Sequence, residues 1–503
     1  MKKGVLLVKR LLVLAALVAA ALPGAGVQAA SKPKPPSHAQ RTTLEAYAAA
    51  TWHSFVMMTN PGTGLPSDNV SAEGVRAKYT SPTNIAAYIW AALAARDLHL
   101  IKPGEARVRI AVTLGTLATL ERSHGQFYNW YDPDTGDRLH RWPADDSKLY
   151  GFLSTVDNGW LATALLMVER AVPQLREQAA ALVEPMDFGL YYDERVGQLF
   201  GGAWTEPPPG CGYQKPGVTD LWFTCFNYGT LNTEPRIASY VGIARGQLPR
   251  THYYKLFRTF PDTCDWSWQE MQPHGVHRTY EGVDVFEGHY TYRGMNIVPS
   301  WGGSMFEALM VPLFVPEEEW APRSWGVNHP LYVRAQIEHG LDEAAYGFWG
   351  FSPSDDPAGG YREYGVDPIG LNPDGYTSDE ERTTTDYGFD ACRSPQPQQP
   401  FGQGVVTPHA SFLALRFARE AALANLAKLQ STFPQSYGPG GFYDAVNVTT
   451  GQVARFHLAL DQGMVIVAIA NELRNDRERS YLEPFLERTV KPLIGQEEFT
   501  AGG

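Results

Sequence analysis

The sequence predicts an all-α fold, an (α/α)6 toroid in which a double ring of helices carries long loops over one end. Six segments share one grammar: a polar or aromatic loop, a capping residue, then a run dominated by Ala, Leu, Ile, Val and Met. More amphipathic runs fall between them. Three long stretches, 187–230, 262–300 and 350–406, lack helical periodicity and are placed to cover one end of the ring.

The six apolar runs are TSPTNIAAYIWAALAA from 80, STVDNGWLATALLMVERA from 154, NTEPRIASYVGIARG from 232, WGGSMFEALMVPLF from 301, VTPHASFLALRFARE from 406 and LDQGMVIVAIANEL from 460. Each has Ser, Thr, Asp, Asn or Gly near its first turn, where side-chain oxygens satisfy unpaired N–H groups. All six are apolar around most of their circumference, as buried helices are. The amphipathic runs EAYAAATWHSFVMM (from 45), EARVRIAVTLGTLATLERS (105), PQLREQAAALVEPM (173), HPLYVRAQIEHGL (329) and AALANLAKLQSTF (421) supply the outer ring. A helical solenoid would show a sequence period, and none is found.

Before the helices, Lys2, Lys3, Lys9 and Arg10 precede the apolar run LLVLAALVAAAL, and Val27-Gln28-Ala29 is a small-x-small site. Residues 1–29 therefore read as a signal peptide, 30–40 as a Pro/Lys linker and 41–503 as a single domain in an exported chain without a lipid anchor or membrane span. Removing the four basic residues takes the formal charge from −12 to −16. Such acidity argues against nucleic acid and anionic membranes as partners, and against a lyase cleft for uronates, which needs basic residues. A neutral oligo- or polysaccharide fits better. The sequence leaves the oligomeric state open. Cys211, Cys225, Cys264 and Cys392 all fall in loops and suit two disulfides, Cys211–Cys225 being favoured by proximity.

Aromatic residues make up 12% of the chain, and many lie in Gly- and Pro-rich connections, among them Trp130, Tyr131, Trp266, Trp268, Trp301 and Trp349. Their faces match the apolar faces of sugar rings, while burial under long loops is the competing reading. The starts of the six inner helices converge on one face, which brings Asp157, Glu234, Glu307 and Asp461 together. Two carboxyl groups flanking a bond are what glycoside hydrolysis requires. Each is also placed as a cap or first-turn acid. Arg236 is close enough to Glu234 to hold its carboxylate. Asp461 with Gln462 suits sugar hydroxyls, and His409 stands beside an inner-helix start as a lining or core histidine. His274, His277 and His289 lack ligand spacing, so no metal and no cofactor are assigned. No Gly-x-Ser-x-Gly elbow, dinucleotide fingerprint or phosphate loop occurs.

The stretches NTEPRIASYVGIARGQLP, SWGGSMFEALMVPLF, YGVDPIGL, VVTPHASFLAL, GFYDAVN and DQGMVIVAIANEL, in that order, resemble the glucoamylase-like domain of cyclic β-1,2-glucan synthases and of the β-1,2-glucanases of glycoside hydrolase family 144. The resemblance covers about 230–475 and extends upstream to STVDNGWLATALL. It implies an (α/α)6 barrel and a hydrolase of a neutral β-glucan. It also implies a general-acid role for Glu234 and a water-activating or sugar-binding role for Asp157. Trp160 stands where some family glucanases carry a second acid. The glutamate that synthase-like relatives place near Pro353 is missing, which weakens a retaining, transglycosylating reading and leaves Asp355, Asp356 and Asp386 as stand-ins. A glycan-binding protein on the same barrel, without catalysis, is the alternative from another class.

Overall fold

A computed structural model describes residues 35–264, 271–371, 392 and 400–502. The proposed signal peptide, Trp266, Trp268 and Asp386 lie outside the described residues. The first half of the chain forms helices α1 (His38–Met58), α2 (Pro82–Asp97), α3 (Pro103–Leu117), α4 (Thr155–Ala171), α5 (Arg176–Val183) and α6 (Arg236–Ala244). The second half adds α7 (Met305–Leu309), α8 (Glu317–Trp320), α9 (Trp325–Glu338), α10 (Pro408–Leu413) and α11 (Leu415–Thr432), then α12 (Ala459–Leu473), α13 (Arg479–Leu486) and α14 (Val490–Ile494).

Helices α2, α4, α6, α7, α10 and α12 form the inner layer. Helix α12 packs on α2, α2 on α4, α4 on α6, α7 on α10 and α10 on α12. The remaining junction, between α6 and α7, is bridged by the Arg236 guanidinium, which donates to the backbone carbonyls of Glu307 and Ala308. Every residue from Pro82 to Ala95 of α2 is buried, which explains why these runs carry no polar face. Small residues set the closest approaches: a Cβ on Gly159 of α4 would lie 2.9 Å from that of Ala238 in α6, and one on Gly463 of α12 would lie 2.8 Å from that of Ala87 in α2.

Outside this layer, α1 packs on α2 and α12, α3 on α2 and α5, α5 on α4, α9 on α7, and α11 on α10 and α12. No outer helix lies between α6 and α7 among the described residues. A 3-10 turn (Arg250–Lys255) and an antiparallel hairpin, His274–Tyr280 paired with Val283–Tyr292, follow α6 instead. The expectation of an all-α chain is corrected in this respect: short sheets of two or three strands dress the loops throughout.

The hairpin is fastened by a segment far away in sequence. Asn296 and Gly502 exchange backbone hydrogen bonds, His289 Nδ1 lies 2.6 Å from Thr500 Oγ1, and the buried Arg258 pairs with Glu497, with Glu287 3.6 Å away. One contiguous apolar core runs from Leu44 to Phe499. Disulfides join Cys211 to Cys225 and Cys264 to Cys392. No helix of the described residues is long and apolar enough to cross a membrane.

Candidate active site

The starts of α6 and α7 open onto a cleft of about 510 Å³ whose wall includes Glu234, Glu307, Thr233, Trp301 and Phe306. Its other walls come from the long loops: Phe226 to Thr230 on one side, Pro353, Tyr361 and Glu363 on the other. Phe226, Asn227, Gly229, Thr230 and Trp301 are shared with an adjoining hollow of about 680 Å³, where Tyr254, Phe257, Phe260 and Phe286 supply further aromatic surface. The two hollows thus adjoin along an aromatic-lined groove, and aromatic faces suit sugar rings.

Glu234 lies two residues ahead of α6, and its Oε2 accepts the indole N–H of the buried Trp160 at 2.5 Å. The Glu234 backbone N–H donates to Glu307 Oε2 at 2.9 Å, and the Thr233 hydroxyl donates to the same oxygen. Glu307 is aimed by its own helix start, since Ser304 caps α7 by accepting from the Glu307 N–H. Both carboxyl groups therefore line the cleft, Glu307 fixed by the backbone N–H of Glu234 and Glu234 by the indole of Trp160.

Arg236 does not hold the Glu234 carboxylate, as sequence proximity suggested, nor does it face a ligand. It is 1% exposed and bonded to both oxygens of the buried Glu317 at 2.8 and 2.9 Å. Its other bonds go to the carbonyls of Thr233, Glu307 and Ala308, so it braces the two acid-bearing segments from behind. Tyr240 and His329 complete the shell around Glu317, whose pKa falls to about 2: burial would raise it, but the Arg236 charge and these hydrogen bonds prevail.

Burial and the Glu307 charge push the Glu234 pKa well above the usual carboxylate range, with Asp157 adding to the rise. Glu307 is raised to about 7 by burial, with the Thr233 and Glu234 donors opposing the rise. The donors favour the anion on Glu307 while its charge favours the proton on Glu234. The arrangement thus favours the proton on Glu234 over Glu307.

Asp157 is half-buried in the first turn of α4, where Ser154 caps its N–H and the Thr83 hydroxyl donates to its Oδ1 at 2.7 Å. Its charge adds to the upward push on the pKa of both Glu234 and Tyr228.

Other sequence candidates are placed differently. Trp160 is fully buried and serves Glu234 rather than a ligand. Tyr131 is buried, its hydroxyl donating to the Glu121 carbonyl and accepting from the Tyr128 N–H, and Trp349 is a core residue held by Asn425. Both are structural, because the loops that carry them fold over the core. Trp130 is half-buried in a cluster with Tyr79 and Trp142. Among the described loop tryptophans named, Trp301 is the one on the groove wall.

His409, Asp461 and Gln462 are buried together on the α10–α12 side. Asp461 is raised to about 7 by burial, and Asp444 further by burial and by the Asp461 charge. Asp355 donates its backbone N–H to Asp444 Oδ2 at 2.6 Å, while Asp356 bonds Tyr364 and Arg362.

Sequence reasoning missed Tyr228, Asp444 and Glu363. Glu363 lines the cleft with Pro353, so a glutamate absent beside Pro353 in sequence is supplied in space from ten residues downstream. Its position just ahead of YGVDPIGL was the available signal. A separate cavity of about 260 Å³ is lined by Arg416, Arg419 and Arg479, but these pair with Glu318, Glu472 and Asp476.

Residues 273–476 match a family model described as "Putative glucoamylase", and 46–206 match one described as a protein of unknown function. Glu234 falls between the two matches, Asp157 within the second, and Glu307 and Asp461 within the first. A cyclic β-(1,2)-glucan synthase, NdvB, of Rhizobium meliloti is 30% identical over 324 residues, which is 62% of this chain and 9% of that protein's length. Among solved structures, an endo-β-1,2-glucanase from Chitinophaga pinensis, in complex with sophorotriose and glucose, superimposes with a TM-score of 0.62 at 15% identity, covering 91% of this chain and 98% of that one. One from Talaromyces funiculosus, in complex with β-1,2-glucan, gives 0.63 at 14% identity over 93% and 91%. Residues 273–476 are thus similar in sequence to the glucoamylase family model, and the chain shares its fold with solved endo-β-1,2-glucanases.

Proposed function

We propose that this chain is an exported glycoside hydrolase of a neutral β-glucan, a β-1,2-glucan in the first instance, built on a single (α/α)6 domain that spans 41–503. The observation that carries the reading is the Glu234–Glu307 pair on the wall of an aromatic groove, and the upward push on the Glu234 pKa supports its role as an acid. Glu234 acts as general acid to the glycosidic oxygen. Asp157, oriented by Thr83, activates or positions the water that attacks the opposite face of the sugar, which inverts its configuration. Glu307 and Trp301 contact the sugar beside the broken bond. The disulfides and the basic-apolar leader favour an oxidising compartment outside the cytoplasm.

Incubation with linear β-1,2-glucan, with reducing ends counted and the first-formed anomer read by NMR, tests this. Glu234→Gln is expected to lose at least about 100-fold in kcat, the scale of general acid catalysis, while its Tm stays within a few degrees. Binding without new reducing ends by the wild type would replace hydrolysis with glycan binding. Glu363 on the facing wall supports a second reading, a retaining transglycosylase, and retention of the anomer with longer products would select it.

A further inference from the structure

We infer that His409, Asp444 and Asp461, with Gln462 beside them, form a buried site for a divalent cation on the α10–α12 side of the ring mouth. One side-chain nitrogen of His409 and one carboxylate oxygen each of Asp444 and Asp461 lie within 4.8 Å of one another. That is the spread of ligands around one ion held by bonds of roughly 2.0–2.4 Å. The three residues come from three segments: the first turn of α10, the loop before strand Ala445–Asn447, and the first turn of α12.

A second observation points the same way. Asp444 Oδ1, Asp461 Oδ2 and Gln462 Oε1 are all buried without a hydrogen-bond partner, on residues 3%, 4% and 5% exposed, and all three residues line one small hollow. Orphaned buried acceptors are costly, and three around one hollow leave an unmet demand for positive charge. Asp461 Oδ2 lies 3.0 Å from His409 Nδ1 but outside hydrogen-bond geometry. His409 Nε2 lies 2.9 Å from Ser352 Oγ, and Nδ1 lies 2.8 Å from Thr407 Oγ1, whose hydroxyl donates to the Asp444 carbonyl, so an ion would take Nδ1 over from Thr407 while Nε2 donates to Ser352. This is how metal-bound histidines are oriented, with the second nitrogen donating to a neighbour.

A mixed set of two carboxylates, an imidazole and an amide oxygen suits Mn²⁺ or Zn²⁺ better than Mg²⁺. The ion would neutralise two adjacent buried carboxylates. It would also tie α10 and α12 to the 352–355 loop, which Ser352 and Asp355 already attach to His409 and Asp444. Its role is independent of the hydrolytic reading.

The full-length protein, stripped with a chelator and dialysed, should take up one Mn²⁺ or Zn²⁺ per chain in calorimetry. It should also gain several degrees of Tm and show an immobilised Mn²⁺ signal in electron paramagnetic resonance. Asp461→Asn and His409→Gln should abolish the stoichiometric ion, and Ser352→Ala should weaken it roughly 10- to 100-fold. Glu234→Gln should leave it intact. The wild-type measurement stands even where a variant fails to fold. No stoichiometric uptake of Mn²⁺, Zn²⁺ or Ca²⁺ by the stripped wild type would overturn the site in favour of a proton or water shared between the carboxyl groups. So would an ion that survives both Asp461→Asn and His409→Gln.

Discussion

Glu234 and Glu307 illustrate how two identical side chains on one cleft wall acquire different affinities for a proton. Both are half-buried at the cleft wall, but Glu307 receives two donors on one oxygen and Glu234 receives one indole N–H. A carboxyl group whose pKa rises on folding stabilises the fold only while protonated. The contribution from Glu307 is complete below its ordinary value of 4.5 and is lost as pH climbs through about 7. Glu307→Gln should therefore flatten stability against pH between pH 4.5 and 7, as read by urea denaturation at several pH values. The same substitution removes a negative neighbour of Glu234, so the alkaline limb of kcat should move to lower pH. The position of Glu234 was legible in sequence from the loop and helix start around it. The true partner of Arg236 was not, because Glu317 lies 81 residues away and only the fold brings the two together.

Helix starts were the most legible elements. The apolar runs noted from 80, 154, 232, 301, 406 and 460 begin within four residues of the helices at Pro82, Thr155, Arg236, Met305, Pro408 and Ala459. Helix ends were less so: the run from 301 reads as one helix to Phe314, but Pro312 cannot donate to an α-helical ladder, and α7 gives way to a 3-10 turn over Val311–Leu313. The run from 406 breaks likewise, with the backbone leaving helical geometry at Ala418. Close approach between elements is the part that function depends on. Gly159 sits where α4 meets Ala238 of α6, next to the point where Trp160 of α4 bonds Glu234, just ahead of α6. Gly159→Ala should cost about 1–3 kcal/mol through overpacking and lower kcat by displacing the acid. Gly104→Ala, at a position with open space around it, should be neutral by both thermal melting and reducing-end assay.

At the scale of the molecule, the alternation of buried and amphipathic runs revealed the helical double layer, while the hairpin in the α6–α7 interval did not announce itself. Its strand His274–Tyr280 is mostly exposed and carries no apolar alternation to read. The long loops are held by covalent as well as packing forces, and Cys264–Cys392 closes 128 residues. Replacing both cysteines by serine removes a loop-closure restraint worth up to about 5 kcal/mol. A lower Tm and faster proteolysis between α6 and α10 are expected, read by melting and limited trypsin digestion. The fastening of the hairpin also orders events during synthesis. On the ribosome, Arg258 emerges more than two hundred residues before Glu497, so until Glu497 is made its guanidinium has Glu287 and the nearby carbonyls of Tyr253 and Leu256 to pair with. A chain stopped by a nonsense codon ahead of Glu497 would keep nearly all of its helices yet leave a buried cation half-neutralised. Such a product should be degraded rather than accumulate as a shortened enzyme.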